Sequence, residues 1–264
     1  MSIEIPDSEP TVRISANHAR LNYVLVRLFR SSITKATVGG QTVKFHANHP
    51  GDIIAAQYMA GERNLMLACT GLLREGDVVW DIGANVGHWS TVLASSVGAA
   101  GRVIAFEPNP NTERHLRKNF EINGLTNYQI VNQAVGDRDE TGTLRMSGQD
   151  SDPLASLARD RPTARAIEIE LRTPSTLIES DGIEFPNFVK VDVEGFEFQV
   201  VTGLVPLLGD RRIRAIMCEC NPALLGVIGK TVEDIAAIFR AAGFAVQLLQ
   251  RVSGPDIHLL GVRN

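Results

Sequence analysis

The stretch Val78-Val79-Trp80-Asp81-Ile82-Gly83-Ala84-Asn85-Val86-Gly87 decides how this chain is read. A short apolar run ends in an acid, a loop of small residues follows, and a helix is expected from about Val86. The pattern is strand, glycine turn, helix. Gly83 and Gly87 allow the backbone to turn sharply and a ligand to approach the main chain. The first turn of the helix offers backbone N–H groups to a polar or anionic ligand.

The loop departs from the dinucleotide fingerprint. Counted from Gly83, G-x-G-x-x-G requires glycine at 85 and 88, where this chain has Asn85 and His88. The second glycine is what lets a pyrophosphate come close, so Asn85 favours a ligand with one nucleoside and no phosphate. Val103-Ile104-Ala105-Phe106-Glu107 reads as a second strand ending in an acid. Its distance from the loop matches the roughly 20-residue spacing of a ribose-binding acid, and Glu107 is placed to accept both ribose hydroxyls. Loop, spaced acid and failed pyrophosphate turn together point to S-adenosylmethionine.

Composition narrows the classes. The 264 residues are 44% hydrophobic and 21% charged, enough for one large α/β domain with an N-terminal extension. A net charge of −4 makes nucleic acid a poor default partner. Cys69, Cys218 and Cys220 are too few and too unevenly spaced for a disulfide framework. Cys218 and Cys220, two apart on an expected strand, share one face and read as small buried hydrophobes. Met1 to Pro10 has neither a basic start nor an apolar run, so no signal peptide is expected. No stretch reaches the roughly 18 apolar residues of a membrane span. A cytoplasmic, reduced protein is the simplest expectation.

Working outward, residues 1–75 read as a helical preface with one hairpin. Asn17 caps a helix to about Ser31, the hairpin Thr37–Phe45 turns at Gly39-Gly40, Asp52 caps a short helix, and Glu62–Leu73 forms another. This preface fits a cleft cover or a dimer surface. From Asp77 onward strands and helices alternate, the sign of a parallel sheet with helices on both faces. Helices are expected after the glycine loop (Trp89, Val92, Leu93 and Val97 inward), over Asn111–Asn123, from Phe196 to Leu208, and over Thr231–Ala242. Strands are expected at 102–107, Tyr128–Val135, Phe188–Asp192, Ile213–Cys220, 245–250 and 257–262. The last link, Arg251–Asp256, is too short for a parallel crossover, so the final strand must run antiparallel. Residues 137–186 form an insertion. Within it Thr143–Met146 and Ile167–Arg172 alternate as half-exposed strands do. The polar stretch Ser147–Ala166, with Arg159, Arg161 and Arg165, is a candidate substrate lid.

Four blocks carry a resemblance: Asp81–Gly87, Phe106-Glu107-Pro108-Asn109-Pro110, Asn132-Gln133-Ala134-Val135-Gly136, and Lys190-Val191-Asp192-Val193-Glu194-Gly195-Phe196-Glu197. Over about Gly76 to Gly243 the chain resembles the FkbM-type S-adenosylmethionine-dependent methyltransferases. The last block is the most specific, because methyltransferases in general lack it. The resemblance implies a Rossmann-like class I methyltransferase fold, mostly parallel and seven-stranded, with an antiparallel C-terminal strand. It implies methyl transfer, most often to a hydroxyl of a sugar or specialised metabolite. By position, Asp81, Gly83, Ala84, Asn85 and Gly87 would surround the methionine part of the cofactor. Glu107 and Pro108 would meet the ribose, and Gln133 and Ala134 would flank the adenine. Asp192 would lie at the cleft mouth.

A sulfonium methyl needs little covalent help, only an aligned acceptor and exclusion of water, but a hydroxyl acceptor benefits from a base. Asp192 is the first candidate, against a role as cofactor ligand or local structural acid. Glu194 and His88 are the others, each with a plain structural alternative. Glu197 reads as a first-turn helix acid. His46 and His49 read as surface-loop residues. Glu219 and Asn221 with Asp192 form an oxygen-rich trio at neighbouring strand ends, and Mg²⁺ is an option there. Pro222 and Ala223-Leu224-Leu225 instead read as substrate wall. Three other readings stay open. They are methylation of a nitrogen or of a protein or lipid-linked acceptor, a nicotinamide-dependent oxidoreductase, and a non-catalytic nucleoside-binding module.

Overall fold

The computed structural model describes residues 32–38, 40–47, 62–146, 165–250 and 256–263. The helices expected from Asn17 and Asp52, His49, and most of the 147–166 stretch lie outside the described residues. The described chain begins with β1 (Ser32–Val38) and β2 (Gln41–Ala47), an antiparallel hairpin whose turn holds Gly40 at φ +82°. Then come α1 (Arg63–Thr70), β3 (Val78–Ile82), α2 (His88–Ser96), β4 (Arg102–Phe106), α3 (Pro110–Ile122) and β5 (Tyr128–Val131). The intervening section contains β6 (Ala134–Val135), β7 (Glu140–Met146), β8 (Arg165–Arg172) and α4 (Pro174–Glu179). The remainder is β9 (Phe188–Val191), α5 (Glu197–Leu208), β10 (Ala215–Cys220), α6 (Pro222–Val227), α7 (Val232–Ala241), β11 (Ala245–Gln250) and β12 (Ile257–Val262).

Seven strands form the main sheet in the order β11-β12-β10-β9-β3-β4-β5. All neighbours from β10 to β5 run parallel, while β12 is antiparallel to both β10 and β11. The final hairpin therefore inserts its return strand between β11 and β10, the arrangement expected of a Rossmann-like methyltransferase fold. Continuous apolar runs such as Val78–Ile82 suit a sheet covered on both faces. One face carries Trp80, Ile104, Val189 and Ile216 against α4, α5 and α7. The other carries Val79, Val103, Phe188 and Met217 against α1, α2, α3 and the hairpin. Trp80 is fully buried, and its indole N–H donates to the Glu184 carbonyl at 2.8 Å, so its polar atom is satisfied.

Local chemistry sets the element ends. Asn109 accepts from the Asn111 N–H to cap α3, and Pro110 occupies the first helical position where no N–H is needed. Thr231 and Asp234 form a reciprocal capping box on α7. One sequence expectation is corrected here. Tyr128–Val135 is not one strand. The chain leaves the main sheet after Val131, and Ala134-Val135 pairs with β8 in a separate three-stranded sheet, ordered β6-β8-β7. Pro222–Val227, which includes the residues read as substrate wall, is a short helix capped by Asn221. Cys218 and Cys220 do share the apolar face, buried and unpaired, with sulfurs 3.7 Å apart. Among the described residues no helix is long and apolar enough to cross a membrane.

Candidate active site

The carboxyl ends of β3, β4, β9 and β10 converge with the start of β12, the edge where ligands of open α/β sheets bind. The glycine loop leaves β3 at this edge. Gly83 and Gly87 take φ +79° and +86°, as the expected turn requires. Their reason for being glycine is the protein itself. A Cβ on Gly83 would stand 1.8 Å from the Asp192 carbonyl oxygen, and one on Gly87 would stand 2.3 Å from the Leu116 side chain. Two close approaches within the protein, by the Asp192 carbonyl just past β9 and by Leu116 of α3, are thus made at these glycines.

The loop's N–H groups are also accounted for internally. Those of Gly83 and Ala84 donate to the Phe106 carbonyl, and that of Gly87 to the Ala84 carbonyl. The Asn85 N–H donates to Glu107 Oε2 at 2.9 Å, and the Val86 N–H to Asn85 Oδ1. Asn85 holds a left-handed φ of +50°, which asparagine tolerates better than most residues. The first turn of α2 follows, with Gly87 as an N-cap that has no side-chain bond.

Glu107 continues directly from β4. Its Oε1 accepts the Asn109 N–H at 2.9 Å, so each carboxylate oxygen holds one backbone donor and keeps acceptor capacity. Burial pushes its pKa up to about 7, against the pull of those two N–H bonds. Asn132 donates to the Glu107 carbonyl and Pro108 is half-buried beside it. Gln133 reaches Glu170 on β8, 3.0 Å away, and Ala134 is buried at the start of β6. Both therefore belong to the junction where the small sheet meets the mouth of the large one.

Asp192 stands one residue beyond β9, and its side chain is 29% exposed. Beneath it lies a residue that the sequence reading quoted but gave no role, Lys190. Its ammonium is fully buried, 2.9 Å from Asp81 Oδ1, 3.3 Å from Asp192 Oδ2 and 3.3 Å from the Gly83 carbonyl. Burial alone lowers a lysine pKa, but the two carboxylates reverse this and hold Lys190 charged. Asp81 is itself enclosed, and its other oxygen accepts from Ser90 at 2.5 Å. Its contacts are Ser90 and Lys190, so it acts on the cleft through Lys190. The signal available in sequence was a lysine inside the otherwise apolar strand Phe188–Val191, where an unpaired charge is not tolerated.

Beyond Asp192 the backbone is strained, with Glu194 at φ +47°. Burial first, then Asp192, Glu219, Asp256 and Glu197, push the Glu194 pKa up to about 8. Glu197 opens α5 as expected. It accepts the Gly195 N–H at 2.7 Å, is 2% exposed, and is pushed up to about 7 by burial. Glu219 on β10 lies opposite His258 on β12, and the His258 Nε2 is 3.0 Å from Glu219 Oε2.

The oxygen trio read as an option for Mg²⁺ does not assemble. Asn221 uses its side-chain oxygen to cap α6, accepting from the Leu224 N–H, and Glu219 is paired with His258. No group of three or more His, Cys, Asp or Glu among the described residues could hold a metal ion.

The hairpin packs over this side of the sheet. His46 is in β2, not in a loop. The Asn119 side chain accepts from the His46 N–H and donates to the Val86 carbonyl, both at 2.7 Å, tying β2 to the glycine loop. The Asn123 side chain bonds both the N–H and the carbonyl of Lys44. Phe45 meets His88 edge-on, with ring centroids 4.7 Å apart, and Trp89 donates to Glu62 at 3.0 Å. His88 is thus placed between the loop and the hairpin.

Comparison with known proteins agrees with this arrangement. The family described as the methyltransferase FkbM domain matches residues 81–246, which hold all four conspicuous blocks. The chain is similar to the hexuronic acid methyltransferase AglP of Haloferax volcanii, 28% identical over 174 residues, covering 66% of this chain and 69% of that protein. It is also similar to the 31-O-demethyl-FK506 methyltransferase FkbM of Streptomyces tacrolimicus, 30% identical over 221 residues, covering 72% of this chain and 82% of that one. With Asp81–Gly87, Glu107 and Lys190–Glu197 gathered at one sheet edge, the chain belongs to the FkbM methyltransferase family.

Proposed function

We propose that this protein transfers the methyl group of S-adenosylmethionine to a hydroxyl of a sugar or specialised metabolite. One observation carries the cofactor half of the proposal. The N–H groups of residues 83–87 are all bonded within the protein, so the loop is not a phosphate nest, and Asn85 is instead joined to Glu107. A dinucleotide loses its pyrophosphate contacts here, whereas a phosphate-free nucleoside keeps its ribose partner. The remaining acceptor capacity of Glu107 suits two ribose hydroxyls. The carboxylate of Asp192 suits the positive charge of a sulfonium amino acid.

In this reading Gly83, Ala84, Asn85 and Gly87 line the methionine part, Pro108 the ribose, and Gln133 and Ala134 the adenine edge. Asp192 serves on the cofactor side. Its Oδ2 is paired with the Lys190 ammonium 3.3 Å away, which fixes the carboxylate at the cleft mouth. Glu194, pushed up to about 8, carries a proton at neutral pH and can donate a hydrogen bond to the acceptor. His88 and Phe45 form the acceptor-side wall.

The acceptor class is supported by the two relatives, one named for a hexuronic acid and the other for an O-demethyl substrate, where oxygen receives the methyl group. Three buried, unpaired cysteines support a cytoplasmic setting. The test is calorimetric titration with S-adenosylmethionine, S-adenosylhomocysteine and NAD, followed by transfer from methyl-labelled cofactor to uronic acids and simple glycosides. The two adenosyl ligands should bind and NAD should not. Binding of NAD alone would overturn the proposal. Product methylated on nitrogen would overturn its acceptor half.

A further inference from the structure

We propose that Glu219, held in place by His258, takes the proton of the acceptor hydroxyl. This rests on the hydroxyl methyltransferase reading and adds the base that reading lacks. Three neighbouring carboxylates are engaged or enclosed. Asp81 is enclosed by Ser90 and Lys190. Asp192 is paired with the Lys190 ammonium. Glu197 is 2% exposed, with one oxygen on the Gly195 N–H.

Glu219 keeps an exposed portion, 15% of its side chain, while being fixed from behind by a histidine. The register places it beside Asp192, since Cys218 pairs with Val191, and opposite His258. His258 Nε2 holds Oε2 at 3.0 Å, which leaves Oε1 for a substrate. The pair stands on the face of the sheet that the hairpin and α2 cover, where the acceptor-side wall lies.

The charges facing the pair are Asp192 and Lys190 from β9 and its end, Glu194 and Glu197 from the following turn, and Glu62 ahead of α1. Burial and Asp192 raise the Glu219 pKa, and His258 opposes them. Burial lowers the His258 pKa, but Glu219, Glu62 and Asp192 raise it on balance. His258 thus opposes protonation of Glu219 inside an acidic cluster. In the reaction the acceptor oxygen bonds to the sulfonium methyl carbon. The carbon–sulfur bond breaks, with its electron pair going to sulfur, and the hydroxyl proton moves to Glu219 Oε1, from which it leaves to solvent. Glu219 is the catalytic residue and His258 the positioning residue.

The experiment compares the wild type, Glu219→Gln and His258→Gln, using methyl-labelled S-adenosylmethionine with uronic acids and simple glycosides. Glu219→Gln should lower kcat about 100-fold or more while leaving S-adenosylhomocysteine affinity unchanged. His258→Gln should move the rising limb of kcat/KM to higher pH by about 1 unit or more, with the rate recovering at alkaline pH. An equal loss at every pH for His258→Gln, or near-normal kcat for Glu219→Gln, would overturn the proposal. A second measurement needs no acceptor: the imidazole titration of His258 followed by nitrogen NMR. Its midpoint should be higher in the wild type than in Glu219→Gln, and identical midpoints would overturn the pairing itself. Failure of the wild type to bind S-adenosylhomocysteine would instead count against the methyltransferase reading, so the two failures are distinguishable.

Discussion

Replacing Lys190 by methionine removes a buried cation and leaves the surrounding shape nearly intact. Asp81 is 0% exposed and its nearest positive charge is the Lys190 ammonium, 2.9 Å away. After the substitution it retains only the Ser90 hydroxyl as a hydrogen-bond partner. Removing one member of a buried ion pair costs about 3–5 kcal/mol, because the other charge is left uncompensated. Loss of the bond to the Gly83 carbonyl adds to this. With a urea slope of about 1–3 kcal/mol per molar, the unfolding midpoint should fall by at least about 1 M. The reasoning also specifies a rescue. Asp81→Asn combined with Lys190→Met removes both charges, and neutral replacement of a buried pair is often neutral or stabilising, so the double variant should regain most of the loss. The assay is equilibrium urea unfolding of the three proteins, followed by fluorescence of the buried Trp80. A single-variant loss below about 1 kcal/mol, or a double variant no more stable than Lys190→Met, would refute the claim that the loss comes from an uncompensated buried charge on Asp81.

Three further outcomes are expected. Glu107→Ala should weaken S-adenosylhomocysteine binding by about 1.5–3 kcal/mol, and wild-type affinity should fall as pH drops through about 7, where Glu107 protonates; calorimetry at pH 6 and 8 checks both. Glu107, Glu194 and Glu197 all have folded pKa values raised to about 7–8 from 4.5, so the folded state binds more protons between those limits. Their contribution is therefore fully present below about 4.5 and is lost as pH rises through 7–8, so the ligand-free protein should melt at a lower temperature at pH 8.5 than at pH 5.5, by a smaller margin in Glu194→Gln. Asn119→Ala should undock β2, costing about 2–4 kcal/mol for two lost buried bonds, with hydrogen exchange at residues 41–47 rising while the core strands stay protected.

The main fold was legible because its signals are local. Continuous apolar strands, Asn and Thr caps, and a closing link too short for a crossover each carry their own instruction. Two elements show where such signals stop. Val131 and Ala134 are both apolar, and what separates them is pairing with β8, some 37 residues further along, which no local pattern announces. Pro222–Val227 is six residues with one buried side chain, too short to show a helical stripe. At the site, the residue types at 83, 107 and 192 were read correctly as belonging to one edge. The contact that also requires glycine at 83 was not legible, because it is made by the Asp192 carbonyl more than 100 residues away. Lys190 and His258 were missed for the same reason. Each is an isolated polar residue in an apolar strand until its partners, Asp81 and Glu219, are brought alongside.

Those partnerships explain why the first and last motifs form a single unit. Asp81 and Lys190 are register partners across β3 and β9. The Asp192 N–H donates to the Ile82 carbonyl at 3.0 Å, and the Asp192 carbonyl closes over Gly83 where no Cβ fits. The turn at one strand end is therefore seated against the turn at the next by a salt bridge, a backbone bond and a steric contact. Lys190, bonded to the Gly83 carbonyl as well as to both aspartates, sits beneath all three. A change at Gly83 must then displace Asp192, and a change at Lys190 must loosen the glycine loop. Gly83→Ala makes this concrete. Its Cβ at 1.8 Å from a backbone oxygen forces β9 away from β3, and the left-handed φ adds about 1–2 kcal/mol. Gly40→Ala has a similar φ of +82° but nothing within 4 Å, so it should show the backbone cost alone. The difference in stability between the two variants measures the contact between the motifs. If Gly83→Ala were no worse than Gly40→Ala, the two turns would not be clamped, and the specificity of the Lys190–Glu197 block would need an explanation in the ligand rather than in the fold.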